Sequence, residues 1–261
     1  MISSFLQGGL GNQLFQISAI LSLAKDNNVS AVFDIKSHKI GLQGNNAIKY
    51  KDNIYRNLNI SEFIKKNEYS EPYFQYKQLS YIDDCLYEGY FQSEKYFEHN
   101  SDYIKNLFSI SNDLKNKLNN FIKEHNFLNQ KCLSLHVRRG DYLKFPNIHP
   151  VIDMNYINEA FSYFNLKNYY ILIFSDDIQW CKQNIKLDNC IYITSDIFDD
   201  YEQLYLMSLC DDNIISNSSF SWWGSYLNNN INKKIIAPKI WFGTNCDYNS
   251  IDIYTNKMII I

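Results

Sequence analysis

From residue 132 onward the sequence repeats one pattern: a short apolar run, then a stretch with apolar residues at helical spacing. Residues 132–137, 169–174, 190–194, 213–216 and 234–237 read as strands, and 154–164, 177–185, 200–209 and 220–229 as the helices between them. The runs are apolar nearly throughout instead of alternating, as expected of strands covered on both faces. A parallel sheet with helices packed on either side is the architecture that covers them so. The first half follows the same logic more loosely. Residues 2–6 read as a strand, Gln7–Asn12 as a turn, and 13–25 as a helix with Leu14, Ile17, Ile20, Leu21 and Ala24 on its buried stripe. Residues 29–35 and 86–91 are further strands, 36–92 is otherwise poorly patterned, and 94–107 and 111–125 are amphipathic helices. That strand-free stretch is the natural seam, so two α/β units are expected, 1–125 and 126–261.

Composition narrows the function. A net charge of −3 and a pI near 6.0 argue against a protein that coats nucleic acid. No apolar run approaches the ~18 residues of a membrane span, and the opening Met1-Ile-Ser-Ser-Phe-Leu-Gln-Gly-Gly lacks a secretory pattern, so a soluble cytoplasmic protein is expected. Six cysteines stand apart without C-x-x-C or zinc spacing, and the histidines are scattered. Buried reduced thiols and no metal are expected. The chain is rich in Asn, Ile, Lys and Tyr yet holds only three arginines: Arg56, Arg138 and Arg139. Where lysine serves nearly everywhere else, two adjacent arginines point to a need for the guanidinium fork.

Four segments could carry chemistry, three of them just beyond the carboxyl end of an expected strand, where α/β proteins bind ligands. Gly8, Gly9, Gly11 and Asn12 form a glycine turn opening the first helix, suited to close approach of backbone to an anion. It matches neither the dinucleotide fingerprint nor the P-loop. His136-Val-Arg-Arg-Gly-Asp-Tyr142 follows the 132–137 strand. If that strand alternates, His136 and Arg138 share one side and Val137 and Arg139 the other, leaving one arginine for a ligand and the other to pair with Asp141. Asp176 and Asp177 follow 169–174, one suited to cap the next helix and the other to a ribose or purine. Asn217, Ser218, Ser219 and Phe220 precede the 220–229 helix, where hydroxyl and N–H groups can hold a phosphate. Trp222 and Trp223 read as core. No Asp-x-Asp occurs, which weakens any metal-dependent sugar-nucleotide scheme, and no G-x-S-x-G surrounds the serines.

Together Gly8-Gly-Leu-Gly-Asn-Gln-Leu-Phe-Gln16, His136–Tyr142, Phe174-Ser-Asp-Asp177 and Asn217-Ser-Ser-Phe-Ser-Trp-Trp-Gly224 resemble, in order and spacing, the bacterial α-1,2-fucosyltransferases of glycosyltransferase family 11. The resemblance covers about residues 5–240. It implies a GT-B-type α/β fold: two Rossmann-like units with a cleft between them, the first on the acceptor side and the second binding the sugar nucleotide. It implies GDP-β-L-fucose as donor, inversion, no cofactor and no required metal. The product would be an α-1,2 bond to the 2-hydroxyl of a terminal galactose in a glycan, as in O-antigen or other surface polysaccharide. By that analogy Arg138 holds the β-phosphate, His136 and Asp176 or Asp177 lie near the guanosine, and Ser218 and Ser219 lie near the pyrophosphate. The glycine turn would cover the pyrophosphate from the other unit. Asp141 and His149 are the candidates for a base on the acceptor hydroxyl. A lipid-linked acceptor would bring the protein to the inner face of a membrane. The aromatic residues Tyr50, Tyr55, Phe63, Tyr69, Tyr73, Phe74 and Tyr76 are candidates for stacking on the acceptor. Competing readings are another nucleotide-sugar transferase on the same scaffold, and a noncatalytic glycan-binding protein.

Overall fold

The computed structural model describes residues 1–36, 47–125, 130–246 and 248–261; the 37–46 part of the poorly patterned segment lies outside them. The chain divides into two units, Met1–Ser109 with Tyr248–Thr255, and Ile110–Asp247 with Asn256–Ile261.

The first unit holds a three-stranded parallel sheet in the order β1-β3-β2, with β1 at Ile2–Ser4, β2 at Asn67–Ser70 and β3 at Cys85–Glu88. Its long helix α1 (Leu10–Asp26) is apolar on most sides and is buried along nearly its whole length, including Gln13, Gln16, Ser18 and Ser22. A helix apolar all round belongs inside a fold, not on its surface. The strand expected at 29–35 is reduced to isolated bridges, Ile2 to Ala31 and Phe33 to Ile60. The 94–107 helix is shorter than expected: two 3-10 turns lead into α2 at Ser101–Leu107.

The second unit opens with α3 (Asn112–Glu124), capped by Ser111. The expected boundary at 125/126 therefore falls at 109/110. The cause is packing: half-exposed Lys117 pairs with buried Glu202 at 2.7 Å, and Phe121 meets Phe198 edge-on at 4.9 Å. A six-stranded, all-parallel sheet follows, made of β4 (Lys131–Val137), β5 (Tyr169–Ser175), β6 (Cys190–Ile193), β7 (Asp212–Ile214), β8 (Ile235–Ala237) and β9 (Met258–Ile260). The intervening helices are α4 (Met154–Ser162), α5 (Ile178–Asn184), α6 (Asp200–Ser208) and α7 (Ser219–Tyr226). Asp153 caps α4 and Asp177 caps α5, each by accepting a backbone N–H.

Alternation along β4 sorts its two faces. Leu133, Leu135 and Val137 join Ile171, Ile173, Ile214 and Ile236 in a core with Ile157, Ala160 and Phe161 of α4 and Cys181 of α5. On the opposite face Ser134 accepts from Asn213 Nδ2 at 2.6 Å, and the same amide donates to the Met207 carbonyl of α6. Trp222 and Trp223 are fully buried, as expected of core. The six cysteines are free thiols, four buried and Cys190 and Cys246 only part-buried. No described helix is long and apolar enough to cross a membrane.

Candidate active site

The strand order β6-β5-β4-β7-β8-β9 sets the place of the site. From β4 the chain steps outward through β5 and β6, then returns to β7 on the other side of β4. The carboxyl ends of β4 and β7 therefore splay where the direction of winding reverses, and such a crevice is where doubly wound sheets bind nucleotides. His136 of β4 and Ser216 after β7 stand on its two sides, joined by a 2.7 Å hydrogen bond between Nδ1 and Oγ.

His136 is buried among apolar groups, with the Phe220 ring 5.5 Å away. Burial, and secondarily the Arg138 charge, lower its pKa from 6.5 to about 3. It is a neutral imidazole at the floor of the crevice. The opening turn of α7 lies beside it, with Ser218 at the N-cap position. Helix geometry leaves the first N–H groups of such a turn without carbonyls of their own helix, which together with the helix dipole favours an anion there.

Arg138 continues the His136 side of the strand and Arg139 the Val137 side, as alternation requires. Arg139 lies over Trp180 of α5, 4.0 Å from ring centre to guanidinium carbon, and its Nε reaches Asp177 at 3.2 Å. It also donates to the Ile152 carbonyl at 3.4 Å. These contacts tie it to the fold. Arg138 is held differently. Its NH2 group meets Asp141 at 2.7 Å and its Nε meets Asp176 at 3.1 Å, while about a quarter of the side chain stays open (28%). Asp141 thus pairs with Arg138 and not with Arg139. A 3-10 turn begins at Asp141 and brings that carboxylate back over the residue three before it.

Neither aspartate after β5 stands free. Asp177 caps α5 through Trp180 N–H at 3.1 Å besides pairing with Arg139. Asp176 accepts the Arg139 backbone N–H at 2.9 Å and holds Arg138. Gly140 makes this approach possible: a Cβ there would lie 2.5 Å from Asp176 Oδ2. Sequence reading missed the role of Gly140, although its place between Arg-Arg and Asp was visible.

It also missed Tyr142 and Trp241. Tyr142 is buried, which raises its pKa, and it donates to the Asn217 carbonyl at 2.9 Å. Its ring stacks on His149 at 4.5 Å and 16° and lies under Arg138 at 5.5 Å. Asn217 in turn donates its amide to the carbonyls of Pro150 and Trp241, at 3.0 and 3.1 Å. It fastens the loop carrying His149 to the end of β7, so its part here is architectural. His149 is half-buried; burial, with Arg138 acting in the same direction, lowers its pKa despite the opposing Asp141 charge.

The structure thus gathers His136, Arg138, Asp141, His149, Asp176, Asp177, Asn217, Ser218, Ser219 and Phe220 in the second unit. Gly8, Gly9, Gly11 and Asn12 belong to the first, after β1. Gly8 has φ +75°, which suits glycine, and its carbonyl accepts from Gln13 at 2.9 Å. Of the aromatic residues offered for an acceptor, Tyr50 and Tyr55 are fully buried core, Phe74 nearly so, and Tyr73 is half exposed.

The sequence profile of Glycosyl transferase family 11 matches residues 1–254. The chain belongs to that family. Among curated relatives, the O-antigen biosynthesis glycosyltransferase WbnK of Escherichia coli is 28% identical over 93% of this chain and 95% of its own. An α-1,2-colitosyltransferase of Escherichia coli is 30% identical, covering 98% and 97%. Among solved structures, the α-1,6-fucosyltransferase NodZ soaked with GDP-fucose superimposes with a TM-score of 0.55 at 14% identity, over 87% of this chain and 91% of that one. NodZ from Bradyrhizobium gives the same score. The two Rossmann-like units of this family 11 chain are of the GT-B type.

Proposed function

We propose that the protein is an inverting glycosyltransferase that moves L-fucose from GDP-β-L-fucose to the 2-hydroxyl of a terminal galactose, forming an α-1,2 bond in O-antigen or a similar surface glycan. The observation that carries this reading is the partly open Arg138 guanidinium at the end of β4, lying over the Tyr142 ring whose hydroxyl is bonded to Asn217 just ahead of α7. Cleavage of the sugar–phosphate bond builds negative charge on the departing GDP. Guanidinium and aligned N–H groups stabilise such charge without a divalent cation, and one well-placed donor is typically worth ~10²–10³ in rate. Asp141 and Asp176 orient Arg138 from two directions and leave its remaining nitrogen for the diphosphate.

One-step inversion calls for a base on the acceptor hydroxyl. Asp141 is engaged by Arg138 at 2.7 Å, which favours His149 for the task. With its pKa lowered, the His149 imidazole is neutral at physiological pH and able to take a proton. Exposed Tyr73 and half-buried Tyr69 and Tyr76 of the first unit are the groups offered to the acceptor galactose. Membrane contact would come through a lipid-linked acceptor.

A second reading keeps the bond and changes the donor. The relative at 30% identity is named for colitose, which is fucose lacking its 3-hydroxyl. The test is a donor panel of GDP-fucose, GDP-colitose, GDP-mannose and UDP-galactose in EDTA, with a β-galactoside acceptor and the product linkage read by NMR. Turnover of GDP-fucose to an α-1,2 product is expected. Preference for GDP-colitose would establish the second reading. Activity lost in EDTA and restored by Mg²⁺ or Mn²⁺ would overturn the metal-free scheme.

A further inference from the structure

The three parallel strands of the first unit end side by side, and the segments that follow them meet in one chain of hydrogen bonds. β1 runs into the glycine loop, β3 into the turn Gly89–Gln92, and β2 into Glu71. The Glu71 N–H bonds the Glu88 carbonyl at 2.8 Å and carries the β2/β3 ladder one step further. Its carboxylate then accepts the Tyr90 N–H at 2.7 Å and the Phe91 N–H at 3.2 Å to each oxygen. The Tyr96 hydroxyl donates to it at 3.5 Å.

These contacts hold a turn that would not choose its own shape. Phe91 has φ +48°, a left-handed conformation that is costly for a bulky aromatic residue. Gly89 leaves room for the carboxylate, since a Cβ there would lie 2.5 Å from Glu71 Cβ and 2.8 Å from Oε2. Directly after Phe91, buried Gln92 donates its Nε2 to Asn12 Oδ1 at 2.8 Å. Asn12 lies against Gly8, whose added Cβ would fall 2.4 Å from Asn12 Nδ2. The Glu71 carboxylate sits at the far end of this relay, partly desolvated, with its pKa raised chiefly by burial. A neutral side chain would be easier to bury there; what the carboxylate adds is acceptance of two successive N–H donors.

We propose that Glu71 is a positioning residue for donor binding: by holding the Tyr90–Phe91 turn it aims Gln92 at Asn12 and so sets the shape of the glycine loop. This rests on the reading of that loop as part of the donor site. The test uses Glu71→Gln, Gln92→Leu and the double variant of the full chain. Glutamine keeps the shape but turns one acceptor oxygen into a donor.

Labelling with ¹⁵N-glycine gives nine reporters. In both single variants, without ligand, the Gly8, Gly9 and Gly11 signals should move while Gly224 and Gly243 stay. Donor KM should rise about five- to ten-fold with kcat within about two-fold. The double variant should be no more than about two-fold worse than the worse single one, because the two residues act in series. Unmoved glycine signals would overturn the inference whatever the enzyme binds. So would multiplicative KM effects, or a lower melting temperature at unchanged KM. A wild-type chain that turned over no GDP-sugar would instead overturn the functional reading beneath it.

Discussion

Acidification should weaken the second unit in a way that traces to a single side chain, His136. In the folded chain this imidazole is buried, bonded to Ser216 and held neutral, with a pKa of about 3 against an ordinary 6.5. Between those values the unfolded chain binds a proton that the folded chain refuses. Stability is therefore complete above the unfolded pKa and falls as the pH drops toward the folded one. The slope is about 1.4 kcal/mol per pH unit, so acidification from neutrality to about pH 4.5 removes about 3 kcal/mol. That is a large share of the ~5–15 kcal/mol that typically holds a domain together. All four tryptophans, Trp180, Trp222, Trp223 and Trp241, lie in the second unit, so urea unfolding followed by tryptophan fluorescence reports on that unit alone. His136→Gln keeps a hydrogen-bonding partner for Ser216 and cannot titrate. Its stability should fall less steeply than the wild type's between about pH 6 and pH 4, the two slopes differing by about 1.4 kcal/mol per unit. Carboxylates common to both proteins cancel in the comparison. Parallel slopes would refute the buried neutral imidazole.

The two adjacent arginines should separate by assay. Arg138→Lys loses its two-carboxylate grip and should lower kcat about a hundred-fold at nearly unchanged melting temperature. Arg139→Lys loses the Trp180 face and the Asp177 pair, and should cost about 1–2 kcal/mol, or roughly 3–6 °C, with turnover retained. Equal catalytic losses without thermal change would sink the distinction. Gly243→Ala places a Cβ 2.3 Å from the Asn147 backbone oxygen, which no side-chain rotation relieves. The loop carrying His149 must shift, so kcat should fall at least about ten-fold while GDP affinity, measured by calorimetry, stays within about two-fold. Weakened GDP binding at normal turnover would exclude His149 from the acceptor chemistry.

Most of the second unit was legible in the amino-acid order because its central strands are buried on both faces; β9, part-exposed at the sheet edge, was not. Runs such as Tyr-Tyr-Ile-Leu-Ile-Phe admit few other environments. β2 was missed for the opposite reason: Asn67–Ser70 is an edge strand, mostly exposed and polar, and only its pairing with β3 makes it a strand. At 29–35 strong β character yields only isolated bridges, because local preference does not supply a partner along its whole length. In the site, strand parity correctly sent the two arginines to opposite faces. It could not say where Asp141 would point, since the chain has by then left the strand for a 3-10 turn. Glu71 was invisible because its partners lie about twenty residues ahead, across a sheet whose register the sequence does not announce.

The tail of the chain belongs to both units. Tyr248–Thr255 completes the first, where Asp252 accepts the Tyr76 N–H at 2.9 Å and pairs with Lys95, and Met258–Ile260 then supplies β9 to the second. A nascent chain from which residues 248–261 have not yet emerged therefore holds neither unit whole, however long the earlier ones have been outside the ribosome. Until those residues emerge, the β8 edge and the Tyr76–Lys95 region stay uncovered. Closure of both units waits on that one segment, and in the interval the bare edge of β8 is the surface a chaperone, or another nascent copy, would meet first.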